Sequence, residues 1–203
     1  SLKDFNLLKY DWTVEMLTSP LPPGLGPKRA RIAFWEAESK LLDVFPYLAD
    51  SDAVIAMSDF NAQYFAREMP SGVSVKKILY PLMPTPADCA DKFQARKMFD
   101  LAQEAFIVFF NFDVSAEYRK NAEGVLLAFA KALRDCEKAK LVFKVNGARR
   151  HPEKFKRLQE TAERLGIAQK LLMITEYLTE RDLYSLTNAC DVYVSLHRAE
   201  GFG

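Results

Sequence analysis

The chain has 203 residues, of which 49% are hydrophobic and 27% charged, enough for a packed core and an ordinary charged surface. This length allows one large domain, or one domain and part of another. The formal net charge of +1 argues against general binding of polyanions such as nucleic acids, which requires a sustained excess of basic residues.

The first half of the chain predicts short strands that alternate with helices. The first thirty residues carry little signal, and the segment 20–27 is so rich in Pro and Gly that it predicts a loop. A first helix is predicted at 38–48, where Pro46 must kink or end it. The three predicted strands are Arg31–Trp35, Ala53–Met57 and Val75–Tyr80.

A second helix is predicted to begin after Ser58, which is a favourable N-cap residue. Its apolar and aromatic side chains are predicted to share one face: Phe60, Tyr64, Phe65 and Met69. This alternation of strands and helices indicates βαβ units and a parallel sheet.

Three prolines within six residues, at Pro81, Pro84 and Pro86, interrupt the alternation. Such a segment is typical of a stiff connection between domains. We therefore predict a domain boundary here, with one domain at residues 1–82 and a second at residues 83–203.

The second half predicts a more regular alternation of strands and helices. The predicted strands are Ala105–Phe112, Lys140–Val145, Leu171–Ile174 and Asp191–Leu196. The predicted helices are Asn121–Asp135, Pro152–Leu165 and Glu180–Ala189. Their start and stop signals are Asn121 as a cap, Pro152 in a first turn, Thr179 with Asp182 as a near capping box, and Gly166 as a stop. The aromatic residues of the first strand are predicted to be core: Phe106, Phe109, Phe110 and Phe112.

Polar and charged residues follow each of these four strands. Because crossovers between parallel strands are right-handed, the carboxyl ends of the strands lie along one edge of the sheet, where open α/β sheets bind ligands. Two cations precede a predicted helix start, whose dipole also favours anions. The residues in these positions are Arg119, Lys120, Lys144, Tyr177, His197, Arg198 and Glu200.

Cations from separate loops at one edge predict a site for phosphate or diphosphate. A charge-assisted hydrogen bond contributes roughly 1.5–3 kcal/mol, so three cations are sufficient to hold a diphosphate without a metal. Structural alternatives stay open for each residue. Arg119 and Lys120 are equally compatible with a solvated helix start, and Lys144 with a side chain that snorkels to solvent. Glu200 is compatible with an ion pair to Arg198, and His197 with an ordinary loop histidine.

Other chemistry finds little support in the sequence. The motifs of P-loop, dinucleotide-binding and serine-hydrolase sites are absent, and two separated histidines without a carboxylate cluster predict no metal site. Cys89, Cys136 and Cys190 are far apart and predict buried, reduced thiols of a cytosolic protein. The basic cluster between Lys138 and Arg157 predicts either a solvated face or local attraction for a phosphorylated ligand or an anionic membrane.

Four segments of the chain carry a family resemblance. Residues 112–121 contain an Asp…Ser…Arg-Lys-Asn pattern, residues 141–144 form the next strand, and residues 190–203 contain the start of a Glu–seven-residue–Glu signature. Residues 31–36, with 56–60, complete the set. In these segments the chain resembles the retaining glycosyltransferases of family 4. The resemblance implies the GT-B fold, an α/β architecture of two Rossmann-like parallel-sheet domains, of which the chain would contain the end of the acceptor-side domain and a truncated nucleotide-sugar domain.

The resemblance also implies roles for individual residues. Arg119, Lys120 and Lys144 would bind the donor diphosphate, and Glu200, as the first Glu of the signature, would be the catalytic residue against the donor sugar. The remaining pocket residues would be Ser115, Tyr177, His197, Arg198, Gly201, Phe202 and Gly203.

The activity implied is transfer of a sugar, with retention, from a nucleoside-diphosphate sugar to an acceptor hydroxyl in polysaccharide or glycoconjugate synthesis. No metal or other cofactor is implied, and the acceptor would be a glycan, a lipid-linked molecule or a protein. The expected location is the cytoplasm, with peripheral contact at the inner membrane face as an option. Because the sequence lacks an initial Met and ends within the signature, we expect an inactive piece of a longer enzyme.

Three alternatives remain open from the sequence. A sugar-nucleotide epimerase shares the same two-domain fold. A non-catalytic binding or scaffold protein would keep the fold with an idle pocket. A nucleic-acid module would use the basic cluster, although the near-zero net charge argues against it.

Overall fold

A computed structural model of the chain describes residues 11–16, 28–36, 41–82 and 84–200. Their contacts form two compact units. The first contains the described residues up to Leu82 together with Ala199 and Glu200, and the second contains residues 84–198. The predicted division assigned Ala199 and Glu200 to the second domain instead.

The first unit contains a parallel sheet with the strand order β1-β2-β3-β4. Its strands are β1 (Thr13–Met16), β2 (Arg29–Ala33), β3 (Ala53–Ala56) and β4 (Ser74–Lys77). The helical segments are α1 (Leu41–Val44), a 3-10 segment at Pro46–Asp50, and α2 (Asp59–Glu68). The three predicted strands and their parallel pairing are therefore confirmed with shifted bounds, whereas β1 was not predicted. In the described part of the helix predicted at 38–48, only α1 is α-helical, and Pro46 begins a 3-10 segment, as expected from its missing N–H.

Helix α2 shows where the predicted packing was right and where it was wrong. The Ser58 side chain accepts a hydrogen bond from the backbone N–H of Asn61 at 3.2 Å, which confirms the N-cap. Phe65 and Met69 are buried as predicted, but Phe60 is 68% exposed. The buried stripe runs through positions 61, 65 and 69, four residues apart. Phe60 lies five residues before Phe65 and is therefore rotated away from the stripe.

The second unit contains a parallel sheet with the order β7-β6-β5-β8. Its strands are β5 (Phe106–Asp113), β6 (Ala139–Asn146), β7 (Leu171–Ile174) and β8 (Val192–Tyr193). Its helices are α3 (Lys92–Met98), α4 (Glu117–Lys120), α5 (Ala122–Leu133), α6 (Pro152–Arg164) and α7 (Glu180–Ala189). Short 3-10 segments lie at Val114–Ala116 and Ala168–Lys170. The predicted parallel α/β unit is confirmed, with β8 shorter than expected and α3 unpredicted.

Helices cover both faces of β5, so successive side chains of this strand are buried alternately in two hydrophobic clusters. Phe110 and Phe112 are buried in a cluster with residues of α5 and α6, whereas Ile107 and Phe109 are buried in a cluster with residues of α7. Phe106 is 40% exposed, so the prediction that all four aromatics are core is wrong for the first residue of the strand. All three strand pairs of this sheet are parallel, which brings their carboxyl ends to one edge.

The three cysteines are free, and they differ in exposure. Cys89 and Cys190 are half-buried, but Cys136 is exposed because it lies in the turn between α5 and β6. The prediction of buried thiols is therefore wrong for Cys136. Burial raises the pKa of the Cys190 thiol to about 12, with the neighbouring carboxylate of Asp191 adding to the effect.

Across the described ranges, none of the helices combines the length and the apolar composition that crossing a lipid bilayer requires.

Candidate functional site

Lys144 lies near the carboxyl end of β6, between two neighbouring strands. Its Cα is paired with Asn111 of β5 and with Ile174 of β7. The residue is only 4% exposed, which does not fit a side chain that snorkels into solvent. Its Nζ donates a hydrogen bond to Oδ1 of Asn146 at 2.7 Å. The sheet therefore holds an ammonium group just inside the edge where ligands of this fold class bind.

The surroundings of Lys144 are poorly matched to a buried charge. Burial lowers the pKa of Lys144, and the carboxylate of Glu176 only partly opposes this. Next to it, the Oδ1 atom of Asn111 is buried and has no hydrogen-bond partner among the described residues. Buried polar groups without partners are rare and costly, and this acceptor would be satisfied by a hydrogen-bond donor such as a water molecule or a hydroxyl group. An anion near Lys144 would stabilise its charged form.

The end of β5 and the loop that follows β6 approach each other closely at Asp113 and Gly147. The carboxylate of Asp113 accepts a hydrogen bond from the backbone N–H of Ser115 at 2.8 Å. Burial would raise the pKa of Asp113, but the hydrogen bonds from Ser115 and the positive charge of Arg150 outweigh it and hold the pKa below its ordinary value. Gly147 has a φ of +74°, and a Cβ there would lie 3.0 Å from Oδ1 of Asp113. Only glycine therefore suits this turn.

Helix α4 carries the two predicted phosphate-binding cations of this loop. Arg119 and Lys120 form its last turn, directly before Asn121 and the start of α5, and both are half-buried. The helix is tied to α6 by an ion pair of 2.6 Å between Arg157 and the buried carboxylate of Glu117. The sequence placed the cations at a helix N-terminus. They instead end a short helix that precedes one.

Two other members of the basic cluster also have structural partners. Lys154 of α6 donates to the carbonyl of Ser115 at 2.9 Å, and Lys140 donates to the carbonyl of Gln169 at 2.9 Å. Part of the cluster therefore holds loops in place around the sheet, which is neither of the two roles predicted for it.

The segment that leaves β8 is bound to α4. The backbone N–H of Arg198 donates to the carbonyl of Arg119 at 2.8 Å, and its Nε donates to the carbonyl of Tyr118 at 3.1 Å. Its Nη2 donates to Oδ1 of Asn121 at 2.9 Å, and its guanidinium lies 4.7 Å from the centre of the Tyr118 ring. Asn121 in turn donates from Nδ2 to the carbonyl of Leu196 at 2.9 Å. The predicted role of Arg198 in the pocket stays a prediction, while these contacts with α4 are observed.

The remaining predicted site residues are placed as follows. Ser115 is exposed in the loop after β5, and Tyr177 is 90% exposed after β7. The His197 ring lies 5.7 Å from the Phe110 ring, over the core. Glu200 belongs to the first unit by its contacts. Gly201, Phe202 and Gly203 lie outside the described residues.

The second unit thus contains Arg119, Lys120, Lys144 and Arg198, with Lys144 near the end of β6 and the others after β5 and β8. Sequence reasoning missed the roles of Asn121 and Arg157, whereas the Asn-Gly dipeptide at 146–147 does indicate the turn after β6. The contacts of Asn121 and Arg157 join residues about 40 or more positions apart, and no local sequence pattern predicts them. Within the described part of the chain, no group of three His, Cys, Asp or Glu residues is placed to hold a metal ion.

Comparison with protein families and with curated relatives relates this chain to glycosyltransferases. Residues 96–203 match the family model described as glycosyl transferases group 1. A 92-residue segment is 36% identical to the serotype-specific mannosyltransferase WbdA of Escherichia coli and covers 43% of this chain but 10% of that protein.

Solved structures of other proteins share the fold. The sucrose-phosphate synthase from Thermosynechococcus elongatus superposes with a TM-score of 0.71 at 15% identity, over 89% of this chain and 47% of that one. Alr3699/HepE from Anabaena, in complex with UDP and glucose, superposes with a TM-score of 0.67 at 18% identity, over 87% of this chain and 48% of that one. This chain therefore spans about half the length of these structures, and the likeness confirms the predicted GT-B-like fold.

Proposed function

This chain belongs to the glycosyl transferases group 1 family, and we propose that the intact protein transfers a sugar from a nucleoside-diphosphate sugar to an acceptor hydroxyl. The observation that carries the proposal is the buried ammonium of Lys144 at the carboxyl edge of the second sheet. Two solved structures of Alr3699/HepE contain UDP with glucose or UDP-glucose, and WbdA is named a mannosyltransferase. These relatives support a nucleotide sugar as the donor and a glycan as the acceptor.

In this proposal the cations stabilise the leaving group. Departure of a nucleoside diphosphate builds negative charge on its phosphate oxygens, and fixed positive groups that are already in place lower the energy of that state. Lys144 supplies a buried charge, which acts strongly because little water screens it. Arg119 and Lys120 supply further charge from α4, next to the first turn of α5, where the helix dipole adds to the attraction.

The finer parts of the proposal rest on the family 4 resemblance of residues 190–203. They are retention of the anomeric configuration, the role of Glu200 against the donor sugar, and a place in polysaccharide synthesis. The last is supported by the name of the serotype-specific relative. We also propose that residues 1–203 alone are inactive, because they span only 47% and 48% of the similar structures. The cytoplasmic location, the option of membrane contact, the absence of a metal and the class of acceptor stay predictions.

A thermal-shift screen of the intact protein against nucleoside diphosphates and their sugars tests the proposal. A ligand at about 100 times its Kd stabilises the folded state by about 2.7 kcal/mol, which is a readily measured shift. Lys144→Met is the matched control, because it removes the charge and retains a side chain of similar length. We expect a shift for the wild type and a smaller one for the variant. The absence of a shift with every nucleoside diphosphate in the wild type would refute the proposal.

Product analysis then separates transfer from other chemistry on the same fold. The intact protein, its best nucleotide sugar and a set of glycan acceptors should yield an elongated acceptor and a free nucleoside diphosphate. Release of an epimerised sugar without elongation would assign the protein to the epimerases instead.

A further inference from the structure

We propose that Asn121 and Arg198 are positioning residues, which fix the last turn of α4 against the segment that leaves β8 and so set the direction of Arg119 and Lys120. The catalytic part of this proposal rests on the proposed function, because it assumes that those two cations meet the donor. The contacts that carry it are hydrogen bonds within the second unit.

Asn121 has a backbone conformation that normally selects glycine. Its φ and ψ are 58° and 43°, in the left-handed region, between the end of α4 and the start of α5. Glycine adopts this conformation without strain, and asparagine is one of the few other residues that tolerate it. Because glycine would fit this backbone better, we infer that the side chain of Asn121 has a structural role.

Both polar atoms of the Asn121 carboxamide form hydrogen bonds, one as a donor and the other as an acceptor. Nδ2 donates to the carbonyl of Leu196 at 2.9 Å, while Oδ1 accepts from Nη2 of Arg198 at 2.9 Å. Aspartate at this position would place an acceptor against the Leu196 carbonyl, and glycine would lose both bonds. A carboxamide is therefore the group that fits this site.

Gly124 leaves the space that the carboxamide occupies. A Cβ at Gly124 would lie 2.5 Å from Oδ1 and 2.6 Å from Nδ2 of Asn121. Glycine is unfavourable within a helix, because it loses more conformational freedom than other residues on folding. Its place in the first turn of α5 is explained by the side chain of Asn121.

Arg198 donates to two carbonyl groups in the last turn of the short helix, and that of Tyr118 also accepts from the backbone N–H of Asn121 at 3.2 Å. The last carbonyls of any helix lack intrahelical donors. In α4 the carbonyl of Tyr118 accepts from Nε of Arg198 at 3.1 Å, and the carbonyl of Arg119 accepts from its backbone N–H at 2.8 Å. The planar guanidinium also stacks on the Tyr118 ring. Lysine cannot reproduce this set of directed bonds.

These contacts fix the orientation of the turn that carries Arg119 and Lys120. A helix of four residues does not hold its own orientation, since isolated helical turns are unstable. Helix α4 is held on one side by α6 and on the other by Asn121 and Arg198. Loss of the second set frees the turn that carries Arg119 and Lys120. A displacement of about 1 Å at a catalytic group is sufficient for a 100-fold loss of rate.

The first test measures the contacts without any ligand, by amide hydrogen exchange in the intact protein. The variants are Asn121→Gly and Arg198→Lys. The control is Arg181→Lys, since Nε of Arg181 also donates to a carbonyl, that of Asp88, at 3.1 Å. We expect exchange at residues 117–121 to be at least tenfold faster in the two variants, with unchanged exchange in β5 and β6. Unchanged exchange at 117–121 in both variants would overturn the proposal.

The second test measures whether the contacts act through the two cations. Asn121→Gly is expected to lower kcat about 10- to 100-fold with a smaller change in KM. In a background that carries Arg119→Ala and Lys120→Ala, the same change should cost less than about threefold, because its targets are gone. Equal losses in both backgrounds would show a general structural role and overturn the positioning role.

Failure of the proposed function gives a different result. A wild-type protein that binds no nucleoside diphosphate would refute that function, while the exchange measurement still decides on the contacts of Asn121 and Arg198.

Discussion

Replacement of Lys144 by methionine should change the stability of the second unit and its affinity for a nucleoside diphosphate in different ways. The side chain is buried and its Nζ has one observed hydrogen bond, to Asn146. Because Asn146 is itself exposed, water can replace the lost donor. Removal of a buried charge also removes its desolvation cost. We therefore expect Lys144→Met to unfold at an equal or higher concentration of urea than the wild type.

The affinity for a nucleoside diphosphate should change in the opposite direction. One lost hydrogen bond to a charged partner is worth about 1.5–3 kcal/mol, which corresponds to an affinity about 10- to 150-fold lower. Loss of one preorganised electrostatic donor lowers turnover about 10²- to 10³-fold. Isothermal titration and steady-state kinetics on the intact protein measure both. Unchanged affinity together with lower stability would show that Lys144 is only a structural residue and would refute its assignment.

The pH dependence of the same residue follows from its lowered pKa. Since the folded state binds this proton less tightly than the unfolded chain does, charged Lys144 destabilises the fold at neutral pH. This penalty decreases as the pH rises from the lowered pKa towards the unfolded pKa of about 10.4, above which it is gone. Affinity for a diphosphate should fall with rising pH through the lowered pKa, below the ordinary range of lysine. Lys144→Arg, which stays charged, should remove this alkaline loss. An identical alkaline profile in the two proteins would contradict the assignment.

Two further predictions concern contacts that stabilise the second unit. Asp191 accepts hydrogen bonds from the buried guanidinium of Arg96 at 2.9 Å and from a backbone N–H, so Asp191→Ala should lower the free energy of unfolding by about 1–3 kcal/mol. The exposed pair of Asp88 with Arg181 is the control, and Asp88→Ala should cost less than about 1 kcal/mol in the same urea titration; similar losses would show that burial does not matter here. Gly147→Ala should destabilise more than Gly166→Ala, because both glycines have positive φ but only Gly147 would place a Cβ 3.0 Å from another side chain. Equal thermal shifts for the two would refute the close approach.

The sequence predicted the regular elements well where a local signal was sufficient. The bounds of β7 and α7 agree with the structure, and Thr179 caps α7 by accepting from the backbone N–H of Asp182, as expected. Helix α3 was missed because its buried face includes Arg96, a residue that reads as surface in a pattern of apolar residues. Strand β8 was predicted too long, because an apolar run indicates burial but not how many residues of the neighbouring strand pair with it.

The candidate site was predictable in part for a similar reason. Strand ends are local features, so the sequence placed Arg119, Lys120 and Lys144 at one edge. Asn121 was predicted as a helix cap from its residue type, but its side chain makes no cap hydrogen bond and instead contacts Leu196 and Arg198. Those partners are 75 and 77 positions away, a separation that only the folded sheet reveals.

Because Cys136 is more exposed than the other two cysteines, it is a suitable site for attaching a chemical label. Cys136 lies in the turn before β6, at the amino end of the sheet and thus opposite the carboxyl edge that carries Lys144. The raised pKa of Cys190 keeps that thiol protonated and unreactive near neutral pH. A maleimide dye should therefore attach at Cys136 in preference to Cys190, at the end of the sheet away from Lys144.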